Sequence, residues 1–452
     1  MDGFPTLSIE IVRLILIEAV RVRGVKRAAR LRLVSRSWNR EVTEAILQSG
    51  ILDGLDNLFS SSFWPQYITN RTFRKEPLSR SFRIIRQVAE RVLVFRGESI
   101  SDDALRQYVL DICQSFPSHM GLSSIINPRL EAPAEQRKAG MEIIEDSDED
   151  FKGTLLAAAA CTNDIALVKH LLPAMQDCLY LIAQDGSHDE HCPILGYPLD
   201  IAAFKGNAEV MRMLLEVLKD IDHLEPARDL AAGFAGEGNQ MVTLELCLDP
   251  VYTGHNQFVL AAAEDTTSTE IFDRVLQLCK DHLIDDARLA LHPRPDKLLG
   301  EFLSKRLTSA VACGQLAMVR HLLQLGVKPC DIRTGDEDYG YYGLINRAAS
   351  RGHTSVIACL LENGVTITSR SLEAASRHGN PSCVKILLEH GAIDSFKPGS
   401  ALLESIKREN ELVLRQLIES GMRMNESLKE QALYITEKEG LLSMSKIIQE
   451  YR

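Results

Sequence analysis

The fold is decided by LDIAAFKGNAEVMRMLL at residues 199–215, because altered copies of this stretch return through the larger part of the 452-residue chain. The pattern is a small residue, a glycine four positions later, and two apolar residues eight and nine positions after the glycine. Full copies stand at Ala202, Gly206 and Leu214-Leu215; Ala310, Gly314 and Leu322-Leu323; Ala348, Gly352 and Leu360-Leu361; and Ala375, Gly379 and Leu387-Leu388. Weaker copies place Asn163 before Leu171-Leu172 and Glu409 before Leu417-Ile418, and degenerate ones lie around Ala231-Ala232 and Ala262-Ala263.

Each copy predicts two short helices joined by a tight turn. Small residues let the first helix lie close to its neighbours, and the glycine supports the left-handed backbone that ends a helix. The paired apolar residues of the second helix face a core shared with the next unit. A second glycine stop follows at Gly326, Gly364, Gly391 and Gly421. Because no unit buries its apolar face alone, the units must stack, and we expect an all-α solenoid.

The repeated unit resembles the ankyrin repeat over residues 153–452. Residues 197–203, YPLDIAA, match the family's Thr-Pro-Leu-His-x-Ala-Ala signature, and residues 387–392, LLEHGA, match its Leu-Leu-x-x-Gly-Ala ending. The leucine pairs recur at an interval of 43 residues in the first half and of 38, 27 and 30 residues in the later half, whereas the family's period is about 33. The resemblance implies about eight repeats, the last one a cap, which bind a protein target on their concave surface.

Residues 1–48 predict two or three short amphipathic helices. Ser8 is a suitable helix N-cap, and Ile11, Val12 and Ile15 recur at helical spacing. A second helix is expected after Gly24. Its predicted apolar face contains Leu31, Val34, Trp38 and Val42. A unit of this size has little core of its own and often needs a partner.

The same residues resemble an F-box. The family's opening Leu-Pro-x-Glu-Ile is matched by Phe4-Pro5 and, after an insertion, by Glu10-Ile11, and residues 31–42 match its later Leu-x-x-Val-Ser-Arg-x-Trp-x-x-x-Val. The resemblance implies docking onto the acidic Skp-type adaptor of a cullin ubiquitin ligase. The implied contact residues are Phe4, Pro5, Leu7, Ile11, Ile15, Leu31, Val34 and Trp38. A head of this kind on ankyrin repeats resembles proteins of filamentous fungi.

Charge divides the chain into a basic head and an acidic body. Residues 1–97 contain 17 Lys+Arg against 9 Asp+Glu, which leaves 34 basic and 53 acidic residues in 98–452. This asymmetry indicates two surfaces with different partners. The ten cysteines show no regular spacing, and the first apolar run is interrupted by charges, as in a reduced protein without a signal peptide. We expect a cytoplasmic or nuclear protein that does not enter a membrane.

Residues 49–126 predict a helical connecting region. Its basic segment, 71–96, contains a helix over 81–95 with Ile84, Ile85, Val88 and Val92 facing inward. Nucleic-acid binding is not predicted there, because few aromatic residues and no recognised motif accompany the arginines. A solvated helical face is the expected role.

Residues 127–152 predict an acidic flexible linker, because the segment is charged and nearly free of aromatic residues. Within it, Ile143 and Ile144 stand beside an acidic run and resemble a SUMO-interacting motif. Such a segment adds a strand to the edge of a partner's sheet.

The target-binding candidates are Tyr339, Tyr341 and Tyr342 in a glycine-flanked finger, together with Tyr197 and Asp200. Exposed tyrosines provide large contact area at small entropic cost. We find no catalytic constellation and predict neither enzymatic activity nor a cofactor. The crowded His188, His191 and Cys192 lack the separated ligand pairs of a zinc site, so no metal is predicted.

The sequence leaves two hypotheses for function. In the first, the protein is a ligase substrate receptor whose solenoid holds a target while its head binds the adaptor. In the second, it is a non-enzymatic ankyrin scaffold or regulator, and its N-terminal helices only cap the solenoid.

Overall fold

The structure is a computed structural model that describes residues 8–32, 34–51, 64–73, 80–115, 148–183, 194–219, 224–249, 251, 260–280, 295–329, 343–368, 370–392 and 399–450. Every regular element in these ranges is a helix, which confirms the all-α prediction. The chain forms two compact units, residues 1–266 with 271–286 (unit 1) and residues 267–270 with 287–452 (unit 2).

Unit 1 opens with five helices that precede the repeats. They are α1 (Ile9–Leu31), α2 (Arg36–Ser49), α3 (Trp64–Thr72), α4 (Arg80–Arg96) and α5 (Asp102–Ser115). The backbone of α1 leaves the helical region at Gly24, with φ 77° and ψ 163°, which confirms a new helix after this glycine. The predicted inward residues of α4, from Ile84 to Val92, are buried.

The predicted continuous face from Leu31 to Val42 is wrong. Ser35 caps a separate helix, because its hydroxyl accepts a hydrogen bond from the Trp38 N–H at 3.2 Å. Leu31 therefore ends α1 and Val34 lies in the bend between the helices, whereas Trp38 belongs to α2. A serine N-cap starts a new helix, so residues on its two sides no longer share a face. The regular spacing of the apolar residues in the sequence gives no sign of this break.

The repeats of unit 1 are helix pairs. They are α6 (Asp148–Cys161) with α7 (Ile165–Leu171), α8 (Pro198–Lys205) with α9 (Ala208–Leu218), α10 (Leu224–Glu237) with α11 (Met241–Cys247), and α12 (Leu260–Asp265) with α13 (Thr269–Lys280); a 3₁₀ helix (Leu172–Leu181) follows α7. Each first helix packs on the next, in the order α6, α8, α10, α12. Each second helix likewise packs on the next, in the order α7, α9, α11. Helix α6 begins inside the predicted linker.

Unit 2 is also built of helix pairs. Its pairs are α14 (Pro295–Cys313) with α15 (Leu316–Gln324), α16 (Leu344–Arg351) with α17 (Thr354–Glu362), α18 (Ser371–His378) with α19 (Pro381–Glu389), α20 (Ser400–Lys407) with α21 (Glu411–Glu419), and α22 (Glu426–Glu439) with α23 (Leu442–Glu450). The first helices α14, α16, α18, α20 and α22 pack consecutively. The described ranges thus hold nine pairs, one more than the eight counted from sequence, because α22–α23 carries no full copy of the pattern.

The turn between the two helices of a pair adopts the left-handed backbone that the pattern predicts. Gly206, Gly314, Gly352 and Gly379 have φ between 71° and 83°. In the weaker copies, Asn163 and Glu409 occupy the same conformation, each with φ 54°. Asn239, with φ 57°, does so in the degenerate third repeat. A side chain at this position costs free energy but does not prevent the turn.

Polar side chains next to these turns connect successive repeats. The Asn207 amide donates to the Ala160 carbonyl at 2.7 Å, and the Asn380 amide donates to the Ala349 carbonyl at 2.7 Å. The His353 Nε2 makes the equivalent contact with the Ala312 carbonyl at 3.0 Å. Each bond reaches a carbonyl near the end of the preceding first helix, where regular intrahelical bonds run out. The turn itself gives the Ala160 and Ala349 carbonyls only long bonds, of 3.4 and 3.3 Å. These bonds set how closely the repeats stack.

Asn380→Ala tests this connection. The substitution is expected to lower the free energy of unfolding by about 1 to 2 kcal/mol. It removes the short bond to the carbonyl of the buried Ala349, which keeps only the longer bond from the Gly352 N–H at 3.3 Å. Urea unfolding followed by circular dichroism measures the change. Ser382→Ala, at an exposed position of the same helix, is the control and should stay within about 0.5 kcal/mol of the parent. Equal effects of the two substitutions would contradict the role of the bond.

Candidate binding surfaces

Helix α1 carries apolar residues on two sides. Val12, Leu16 and Val20 are buried, and α2 is the helix packed against them. On the other side, Ile11 is 46%, Leu14 64% and Ile15 42% exposed. Exposed apolar residues that stand in a row along a helix are typical of an interaction surface, whereas single ones are ordinary.

An ion pair between a buried carboxylate and an exposed arginine holds α1 on α2. The Glu41 carboxylate of α2, which is 1% exposed, accepts from the Arg13 Nε at 2.9 Å and pairs with Arg40 at 2.9 Å. The hydrogen bond from Arg13 lowers the pKa of Glu41 below its ordinary value. Since both oxygens of the carboxylate are occupied, the pair fixes the side of α1 that faces α2. The apolar row therefore faces away from α2.

The structure describes part of the predicted adaptor-binding set. Ile11 and Ile15 lie in the exposed row, Val34 is 63% exposed in the bend before α2, and Leu31 and Trp38 are half-buried. Phe4, Pro5 and Leu7 lie outside the described residues. Leu14 was missed, although its spacing of three residues from Ile11 was available in the sequence.

The capping of the repeat array is done by α4 and α5, both of which pack against α6. Arg96 donates from Nε to the Asp164 carboxylate at 2.9 Å and from Nη2 to the Thr162 hydroxyl at 3.3 Å. Its guanidinium also lies 5.4 Å from the centroid of the Tyr108 ring. The Phe95 ring lies 5.3 Å from that of His170 on α7. These contacts cover the first repeat on the side where no earlier repeat exists.

The other arginines of the basic segment also contact rings of the same region. Arg71 lies over Phe82 at 5.9 Å, and Arg86 lies over Phe73 at 5.5 Å. Arg106 of α5 approaches the Phe73 ring to 4.8 Å. Such cation–π contacts stabilise the packing of α3, α4 and α5. They give this part of the basic segment a structural role.

The target-binding predictions have mixed outcomes. The finger residues Tyr339, Tyr341 and Tyr342 lie outside the described residues, and Tyr197 is half-buried. Asp200 is 2% exposed, so the prediction that it meets a target at the surface is wrong. The physical reason is that α8 packs between α6 and α10, and Asp200 is among its buried residues. Position in a signature is therefore a poor guide to exposure.

Asp200 is instead part of a buried polar cluster in unit 1. Burial raises the pKa of Asp200 to about 8, and its Oδ1 has no hydrogen-bond partner. Arg228, Asp229 and Asp200 all lie within electrostatic reach of the buried Cys247 thiol, and burial raises the pKa of that thiol. Asn346 occupies the Asp200 position in α16 and accepts from Thr368 and Ser371 at 2.9 and 2.7 Å. The amide oxygen of Asn346 is thus satisfied, whereas its Nδ2, like the Asp200 Oδ1, has no hydrogen-bond partner.

Two other predictions concern segments that the structure does not describe. Ile143 and Ile144 of the SUMO-like segment, and His188, His191 and Cys192, lie outside the described residues. Within those residues no group of three or more His, Cys, Asp or Glu side chains is placed to hold a metal ion. In the same ranges no helix is long and apolar enough to cross a membrane.

Comparison with known proteins identifies the repeats of unit 2. The search of curated proteins returns no match for the chain. A family model described as ankyrin repeats, in three copies, matches residues 307–398. The match begins in α14 and runs through the pairs α16–α17 and α18–α19, whose glycine turns are those described above. Residues 307–398 are therefore an array of ankyrin repeats, whose typical role is protein–protein interaction rather than catalysis.

Proposed function

We propose that this protein is a substrate receptor of a cullin-type ubiquitin ligase. The ankyrin repeats bind the target protein, and α1 and α2 bind the Skp-type adaptor as an F-box does. The ubiquitin chemistry then belongs to other subunits, and the chain itself needs no catalytic residue or cofactor. Tyr339, Tyr341 and Tyr342 remain the proposed target-binding finger.

The exposed apolar row of α1 carries this proposal. A helix that served only as a cap would bury its apolar residues against the repeats. Instead α1 packs on α2, and the helices that pack on α6 are α4 and α5. The row of Ile11, Leu14 and Ile15 is thus available to another protein.

Charge and redox state support the same proposal. The excess of eight positive charges in residues 1–97 suits an acidic adaptor, because complementary potentials speed association and exclude wrong partners. Seven cysteines within the described residues are free thiols, and five of them are buried. This is expected of a protein in the cytosol or nucleus, where we place the receptor.

The test is binding of the full-length protein to purified Skp-type adaptor, measured by calorimetry. We expect a dissociation constant below about 1 μM. Leu14→Asp with Ile15→Asp is expected to weaken binding about a hundredfold, because it places charges in the apolar centre of the interface. The matched control is Val242→Asp with Leu412→Asp, which alters two similarly exposed apolar residues on α11 and α21 and should leave binding unchanged.

Two outcomes would contradict the receptor proposal. One is absence of binding by the parent protein when its circular dichroism spectrum shows it to be folded. The other is equal weakening by the α1 variant and the control. Either would favour the second candidate, an ankyrin scaffold or regulator. The observation that favours it is the packing of α4 and α5, two helices of the connecting region, on α6 of the first repeat.

A further inference from the structure

Basic side chains recur near the C-terminal end of α16, α18, α20 and α22, which are the first helices of the last four pairs in unit 2. The position comprises the two residues that precede the left-handed turn residue, which is Gly352, Gly379, Glu409 or Gly440. At these eight sites stand Ser350, Arg351, Arg377, His378, Lys407, Arg408, Lys438 and Glu439. Five are Lys or Arg and one is acidic, so we call the five cations the basic row.

Consecutive packing aligns these side chains. Helix α16 packs on α18, α18 on α20, and α20 on α22, so the same position of each helix lies beside that of the next. An ion pair between Arg377 and Glu404, 3.2 Å long, connects α18 with α20 at this level. With neighbouring helices about 10 Å apart, the row extends over about 30 Å. Arg351, Lys407, Arg408 and Lys438 are all exposed.

Helix dipoles do not account for the row. Cations near a helix C-terminus are stabilising, and this would favour basic residues in both helices of a pair. The second helices of the same repeats instead end in Glu362, Glu389 and Glu419. The equivalent sites before Asn163, Gly206 and Asn239 in unit 1 hold only one basic residue, Lys205. Among the repeats compared, this concentration of cations is therefore particular to α16, α18, α20 and α22.

Internal ion pairs neutralise the row only in part. Glu373 and Glu404 both pair with Arg377, and Glu404 also accepts from Lys407 at 3.0 Å. Burial alone would raise the pKa of Glu404, but the bonds from Lys407 and Arg377 together lower it below its ordinary value, so the carboxylate is charged at neutral pH. Arg351 and Lys438 stand at the two ends of the row, beyond these pairs. A ligand that carries several negative charges along its length would meet Arg351 and Lys438 at the two ends of the row and Arg408 between them, while Arg377 is held by Glu373 and Glu404.

We infer that the basic row binds an acidic segment of the target protein in an extended conformation. This inference rests on the proposed role of the repeats in holding a target, and it adds the chemistry of that target. At about 3.4 Å per residue, a row of about 30 Å accommodates about nine residues. Their carboxylates pair with guanidinium and ammonium groups on successive helices.

A protein segment is favoured over a nucleic acid. The basic row lies on a body in which acidic residues outnumber basic ones by 53 to 34 over residues 98–452. A nucleic acid carries a charge on every nucleotide, and its backbone would continue beyond the row over repulsive surface. A short acidic peptide needs only the length of the row. The repeats themselves are interaction modules for proteins.

The experiment measures binding of a fluorescein-labelled (Glu-Ser)₅ peptide to the full-length protein by fluorescence anisotropy at low salt. We expect saturable binding that weakens steeply as salt is added. The triple variant Arg351→Glu, Lys407→Glu and Lys438→Glu is expected to bind at least about tenfold more weakly, because three ion pairs become repulsions. For a labelled (Lys-Ser)₅ peptide, the triple variant should not bind more weakly than the parent.

A matched variant controls for total charge. Arg320→Glu, Lys385→Glu and Arg415→Glu make the same change of net charge on the second helices α15, α19 and α21, at positions that are also exposed. This variant should retain the parent's affinity. Equal loss in both triple variants, no binding by the folded parent, or preferential binding of a ten-nucleotide single strand would each overturn the inference. Adaptor binding through α1 is measured separately, so failure here leaves the receptor proposal intact.

Discussion

Gly236→Ala is expected to lower the free energy of unfolding of unit 1 by about 3 kcal/mol. A Cβ at residue 236 would lie 2.1 Å from the carbonyl oxygen and 2.5 Å from the Cα of Ala262. These are backbone atoms of α12, so no side chain can rotate away to make room. The helices α10 and α12 would have to separate, and the buried alanines between them would lose their contacts.

Gly300→Ala is the matched control, because Gly300 also lies inside a helix, α14, and a Cβ there would meet nothing within 4 Å. In that helix, alanine should stabilise the protein by about 0.5 to 1 kcal/mol, through the usual preference of helices for alanine over glycine. Urea unfolding of both variants, followed by circular dichroism, separates the two effects. Stabilisation by Gly236→Ala would show that α10 and α12 do not approach as closely as described.

Asp200→Asn is expected to change the pH dependence of stability. Burial raises the pKa of Asp200 from 3.8 to about 8 in the folded protein, so the carboxyl is neutral there at pH 7. The unfolded chain ionises this group above pH 4 and is stabilised by doing so. The folded state therefore loses about 1.4 kcal/mol of relative stability for each pH unit between about 4 and 8. Below pH 4 the two states bind the same proton and the effect disappears.

Because asparagine does not titrate, the variant removes this loss. The difference in unfolding free energy between Asp200→Asn and the parent should rise with pH and reach about 4 kcal/mol in favour of the variant at pH 7. Burial raises the pKa of the nearby Cys247 thiol above its ordinary value, so this thiol stays protonated up to pH 7 in both proteins. Urea unfolding at pH 4, 5.5 and 7 measures the difference. A difference that stays constant with pH would show that Asp200 is ionised in the folded state.

The repeat architecture was predictable because its signals are local. A small residue, a glycine and an apolar pair at fixed spacing specify a turn between two helices. A residue with a side chain, such as Glu409, can replace the glycine and adopt the same backbone at a cost in free energy. The repeat around Gly236 was harder to align. Its glycine serves close helix packing, while Asn239 makes the turn, so the two roles that one glycine combines elsewhere are separated.

The candidate sites were less predictable because exposure depends on packing between distant segments. Asp200 occupies the first turn of α8, and only the positions of α6 and α10 reveal that it is buried. On α1 the pattern Ile11, Val12, Leu14, Ile15 fits two faces, and Glu41, thirty residues away in the sequence, decides which one is covered. The basic row was hidden for a related reason. Its cations on successive first helices are 26 to 31 residues apart, and an acidic composition conceals them.

The packing of α4 and α5 on α6 determines where the chain can be divided. In α6 the residues Leu155 to Ala160 are almost inaccessible to water, and part of what covers them comes from before residue 115. A fragment that begins at Asp148 would expose this alanine-rich helix and would present it to other copies of itself. A fragment that begins before Arg80 retains the covering helices. The natural boundary of the array, for expression or for proteolysis, therefore precedes its first repeat by two helices.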